Sequence, residues 1–100
     1  LKYRLVIPPL VEQTILHLSP NLKRKIQAAL ETIREEPHLG KALKDELRGL
    51  WSYRVSRYRI VYRIHHGRIE IQVIDPGPRN LIYERVLEAI KEQQAGHNKA

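Results

Sequence analysis

Apolar positions recur along this chain in two rhythms. Val11, Ile15 and Leu18 fall at helical spacing, and Leu22, Ile26, Ala29, Leu30 and Ile33 trace a second, longer stripe of the same kind. Ser19-Pro20 separates the two stripes. Serine suits the cap position, and proline suits the first helical position, where an N–H would have no helical partner anyway. Glu36-Pro37 closes the second stripe, because the residue before a proline avoids helical geometry. The pattern predicts a helical hairpin, preceded by a short strand from Tyr3 to Ile7 that Pro8-Pro9 terminates.

From residue 50 the rhythm changes to a period of two. Leu50–Val55, Tyr58–His65 and Arg68–Asp75 read as three strands, joined by tight turns at Ser56-Arg57 and His66-Gly67. The first turn sets Val55 opposite Tyr58, Arg54 opposite Arg59 and Tyr53 opposite Ile60. The second sets Ile64 opposite Ile69, Tyr62 opposite Ile71, Ile60 opposite Val73, and Arg63 opposite Glu70 as a cross-strand ion pair. Tyr53, Val55, Tyr58, Ile60, Tyr62 and Ile64 then share the face expected to meet the helices. Ser52, Arg54, Arg59, Val61, Arg63, Glu70, Gln72 and Ile74 share the other. Residues 37–49 read as a loop with a short helical turn at 41–47, and Pro76-Gly77-Pro78 as a rigid turn. Leu81, Val86, Leu87 and Ile90 suggest a weakly anchored terminal helix. The expected fold class is α+β: a small, mainly antiparallel four-stranded sheet packed on an N-terminal helical hairpin, with a C-terminal helix. A single domain is expected over residues 1–92, and a polar tail over 93–100.

Charge sharpens this picture. The 100 residues carry a formal net charge of +7, from 18 basic and 11 acidic side chains. A basic domain of this size attracts polyanions. Between residues 50 and 79 the basic residues are all arginine, at Arg54, Arg57, Arg59, Arg63, Arg68 and Arg79, against Glu70 and Asp75 alone. Like charges directly opposite on one sheet face repel, so Arg54 opposite Arg59 points to an anion held there, and a planar guanidinium suits phosphate. The chain has no cysteine, which excludes a disulfide framework and a thiolate metal site. It also has no apolar run near the roughly 20 residues of a membrane span, and Pro8-Pro9 interrupts the only candidate for a signal-peptide core. A cytoplasmic location without membrane contact is expected.

Three marks carry a resemblance: Leu47-Arg48-Gly49, the strand Tyr58-Arg59-Ile60-Val61-Tyr62, and Gly77-Pro78-Arg79 followed by Ile82-Tyr83. With the order of elements, they make the chain resemble the RelE/ParE superfamily of toxins from toxin–antitoxin modules, its RelE branch in particular. The resemblance implies a RelE-like fold. It also implies a metal-independent endoribonuclease that needs no cofactor and cuts mRNA in the ribosomal A site. Such a toxin is held inactive by a cognate acidic antitoxin in a hetero-oligomer. Matched residue by residue, Arg54, Arg59, Arg79 and Tyr83 stand at the family's catalytic positions. Ser56 stands where some members have a second basic residue, and Pro78 where many have histidine. Two other readings use the same sequence: a ParE-like toxin that inhibits DNA gyrase by binding alone, and an RNA-binding homologue without activity.

RNA cleavage by a ribose 2′-hydroxyl needs charge stabilisation at phosphorus and, ideally, a base and an acid. Arg54, Arg59 and Arg79 are the candidates for the first, with solvated surface arginines as the plain alternative. Tyr83 could serve as base or stack on an RNA base, or simply pack in the core. Lys41, Lys44, Arg48 and Arg57 are candidate contacts to ribosomal RNA. Leu81, Leu87 and Ile90 are the candidate contacts to the antitoxin. His65 and His66 point to opposite faces if the strand reaches both, so they are read as turn residues; His17, His38 and His97 show no ligand spacing. Trp51 is open between base stacking and packing, while Tyr53 falls on the helix face.

Overall fold

The computed structural model describes residues 3–68, 70–78 and 81–98, with the backbone alone for 68, 70–75 and 93–98. Among these, β1 is Arg4–Val6, α1 Pro9–Leu16 and α2 Pro20–Glu35. They are followed by β2 (Lys41–Ala42), β3 (Trp51–Val55), β4 (Tyr58–His65), β5 (Glu70–Pro78) and α3 (Ile82–Asn98). Short 3-10 turns at Pro37–Leu39, Asp45–Leu47 and His66–Arg68 link them. The sheet order is β1-β5-β4-β3-β2, antiparallel except that β1 runs parallel to β5. The expected four strands are therefore present, and Lys41–Ala42 adds a two-residue edge strand from the segment read as a loop.

The helical hairpin covers one sheet face. Val11 and Ile15 of α1 and Ile26, Ala29, Leu30 and Ile33 of α2 join Val55, Ile60 and Tyr62 in one buried cluster. Both helices start on a proline, as expected, but the Ser19 side chain makes no capping hydrogen bond. Tyr62 is fully buried, and its hydroxyl donates to the carbonyl of Pro37, fastening the end of α2 to the sheet. Burial pushes the Tyr62 phenol up from 10.0 to about 12, chiefly by denying water to the phenolate.

Two expectations about β5 are corrected. The turn after β4 is a 3-10 turn over His66–Arg68 and not a two-residue turn. Gly67 is not among the residues of positive φ, so the turn makes no use of the left-handed conformation that tight hairpins take from glycine. The register accordingly shifts by two: Ile64 pairs with Ile71, Arg63 with Gln72, and Glu70 with His65 instead of Arg63. Ile69 lies outside the described residues. Further along, Pro76-Gly77-Pro78 is not a turn but strand, opposite Ile60, Arg59 and Tyr58. A strand tolerates proline where its outer edge is unpaired. β1 pairs with β5 only over Glu70–Gln72, which leaves that edge open at Pro76 and Pro78.

The opposite sheet face is covered too. Ile82 and Val86 of α3 pack with Leu50 and Val61 in a second cluster, each at most 1% exposed. The terminal helix is thus firmly seated by its first turns. It also runs on through residues 93–98, placed in a polar tail from sequence; glutamine and alanine there are sound helix formers. Gly77 permits the seating: a Cβ on it would lie 2.8 Å from both Ile82 Cδ1 and Arg85 Nη1. Among the described residues, no helix is long and apolar enough to cross a membrane.

Candidate active site on the arginine face

The β3–β4 hairpin turns at Ser56, whose φ of +57° is the left-handed value a primed hairpin turn needs at its first central residue. That turn fixes the predicted register, with Arg54 directly opposite Arg59. The two guanidinium groups avoid each other by leaving in opposite directions along the strands. Arg54 is exposed, and its Nε reaches back to the carbonyl oxygen of Ser56 in the turn, at 3.4 Å. Arg59 is half-buried and leans the other way, its Nη1 donating to Ser52 Oγ at 3.2 Å.

Ser52 is the centre of the arrangement. It is 1% exposed, the one buried polar or charged residue among those described. The Tyr83 hydroxyl, arriving from the first turn of α3, also donates to Ser52 Oγ, at 3.1 Å. One serine oxygen has two lone pairs, and here Arg59 and Tyr83 take both. Three elements, β3, β4 and α3, thereby bring a cation and a phenol to one point on the face opposite the hairpin. Ser52 was read from sequence only as a face residue. A signal was available: Val61 and Leu50 are apolar neighbours of this face, which says that a helix covers it and that a hydroxyl beneath the helix needs partners.

The other candidates are distributed around this point. Lys41, Lys44, Arg48 and Arg57 are all exposed. Arg79 lies outside the described residues; Pro78, just before it, pairs with Tyr58. Leu81 is 46% exposed, whereas Leu87 and Ile90 are half-buried, Ile90 against the second cluster. Tyr53 packs on the hairpin cluster, as does Trp51 at its margin. Among the described residues no three of His, Cys, Asp and Glu are grouped for a metal ion.

Residues 9–81 match the family model described as the ParE toxin of the type II toxin–antitoxin system, parDE. The chain belongs to the ParE toxin family. It is a toxin of a type II toxin–antitoxin system, within the RelE/ParE superfamily. A search of curated proteins finds no match. Solved structures give the same placement. A RelBE toxin–antitoxin complex from Mycobacterium tuberculosis is 25% identical over 79% of this toxin and 100% of that chain, at a TM-score of 0.70. An arginine-to-alanine double mutant of E. coli RelE in the free state is 21% identical over 92% and 98% of the two chains, at 0.71. The archaeal RelE–RelB complex from Pyrococcus horikoshii is 22% identical over 79% and 97%, at 0.65. The last two likenesses establish the RelE-like fold of this toxin and nothing finer.

Proposed function

We propose that this toxin is a ribosome-dependent endoribonuclease that cuts mRNA in the ribosomal A site and so stops translation. The observation that supports it most is the convergence of Arg59 and Tyr83 on buried Ser52, on the sheet face that also carries Arg54. In the cleavage, the ribose 2′-oxygen loses its proton and bonds to phosphorus. The bond to the 5′-oxygen breaks, and that oxygen takes up a proton, leaving a cyclic phosphate and a 5′-hydroxyl. Charge on the non-bridging oxygens peaks between these events, and a half-buried guanidinium stabilises it better than a solvated one. Arg59 has that role, with Arg54 and Arg79 closing on the same phosphate. Tyr83, positioned by Ser52, is the proton-carrying group. The reading takes the ribosome to hold the RNA in line for attack. Exposed Lys41, Lys44, Arg48 and Arg57 would grip ribosomal RNA.

The partner proposed for this toxin is an acidic antitoxin, held in a hetero-oligomer. Its carboxylates would pair with the arginines, and its apolar residues would cover Leu81, Leu87 and Ile90 beside α3. The neighbouring structures from M. tuberculosis and P. horikoshii are a RelBE toxin–antitoxin complex and a RelE–RelB complex.

Primer extension on mRNA after the toxin is expressed tests the nuclease reading; cuts at defined A-site positions are expected, with naked RNA cut slowly. A second reading is favoured by the family description itself, which is that of ParE, and by the matched segment ending at residue 81, ahead of Tyr83. Under it the toxin blocks DNA gyrase by binding. Loss of gyrase supercoiling with no cuts in mRNA would select that reading.

A further inference from the structure

A second group of side chains gathers at the other end of β3 and β4, away from Arg54 and Arg59. The His38 ring stacks on His66, with centroids 5.4 Å apart and planes 15° off parallel. The Trp51 ring meets the opposite partner, His38, edge-on at 5.1 Å and 85°. Three distant stretches of chain supply these rings: the turn after α2, the start of β3 and the turn after β4. Both histidines are exposed. The backbone just before His38 is tied down, because the Pro37 carbonyl is bound by the buried Tyr62 hydroxyl. Leu39 beside it is 58% exposed. On the edge strand Ala42 pairs with Trp51, whereas Lys41 pairs with Ser52 and faces the arginine side of the sheet.

We propose that His38, His66 and Trp51 form a platform on which an unpaired RNA base stacks. A stack of exposed flat rings offers a π-face to any base. The alternative of a two-histidine metal site fits poorly: near-parallel rings that stack face to face do not aim their nitrogens at one shared ion. Trp51 packs toward the hairpin, on the sheet face opposite Ser52 and Arg59, so its base is separate from the scissile phosphate. It is a nucleotide of the mRNA at a distance from the cut, or one of ribosomal RNA. The proposal rests on the reading that this toxin works on RNA.

Trp51 is the only tryptophan, so its fluorescence reports the platform directly. The full-length toxin is titrated with an unstructured mixed-sequence decaribonucleotide, with the same strand made abasic, and with ribosomes free of mRNA. Saturable quenching by the decamer, but not by the abasic strand, is expected. His38→Ala and His66→Ala should each weaken it on the order of ten-fold, while His38→Phe and His66→Phe, which keep a ring, retain it. Quenching by vacant ribosomes with none by the decamer assigns the base to ribosomal RNA; quenching by the decamer assigns it to mRNA. Equal binding of the abasic strand, or no quenching by either probe, overturns the platform. The cleavage reading fails separately. If translated mRNA is left uncut yet ring-dependent quenching persists, the platform stands without the nuclease. If mRNA is cut and Trp51 stays silent, the nuclease stands without the platform.

Discussion

At the residue scale, Ser52 decides whether Arg59 and Tyr83 act together. Ser52→Ala removes the acceptor that both share, at a cost of about 1–3 kcal/mol of stability. Under the nuclease reading, turnover on translated mRNA should fall on the order of 10- to 100-fold, with little change in apparent affinity for the ribosome. Ser52→Thr, which keeps the oxygen, should restore most of it; equal loss in both variants would point to packing instead. Arg59→Ala and Arg79→Ala should each end growth arrest through a loss of about 10²-fold or more, with the fold intact by circular dichroism. Folded variants that still arrest growth would remove these arginines from the site. Tyr62 gives a pH signature. Its folded value, about 12, lies above the ordinary 10.0, so its contribution is fully present below pH 10. As pH rises from about 10 to about 12, the unfolded chain gives up this proton first and stability falls, by roughly 1.4 kcal/mol per unit at most. Tyr62→Phe should show a shallower alkaline loss in denaturant titrations, set against a lower starting stability because the Pro37 carbonyl loses its donor.

At the scale of elements, α3 is the part on which sequence and structure differ most. Ile82→Ala should cost about 2–5 kcal/mol, since that side chain is fully buried against Val61 and Leu50. Gly77→Val should lift the first turn of α3, and hydrogen exchange should quicken there before it does in β4. Unchanged exchange in α3 would show that the helix yields elsewhere. The hairpin stripe of α2 and the face-to-face arginines were legible because periodicity and a two-residue turn are local properties. The β5 register was not, since a 3-10 turn at His66–Arg68 and a dipeptide turn share much the same sequence signal. Nor was the depth of α3. Apolar spacing says that a helix has a buried side; it does not say which sheet face receives it. Val61, alone and apolar among arginines, was the residue that held that information.

At the scale of the whole molecule, charge governs association. With a formal net charge of +7, and under the nuclease reading, binding to vacant ribosomes should weaken about ten-fold or more between 50 and 200 mM salt. Replacing Lys41, Lys44, Arg48 or Arg57 by alanine should each lower the slope of log K against log salt by about 1 wherever the side chain meets a phosphate. A slope that does not change in any of the four would place the ribosome-facing surface elsewhere.

The order in which the parts meet has its own consequence. The hairpin and β1 come early in the chain, but they back the sheet face that carries no arginine cluster. Ser52 and Arg59 emerge next, and the phenol that completes their hydrogen bonds follows about two dozen residues later. At roughly 5–20 residues per second of synthesis, the growing chain spends on the order of seconds with Leu50 and Val61 bare and the serine unpaired. Under the nuclease reading, a toxin assembled in this order stays without its complete site until Tyr83 has been made and α3 has docked.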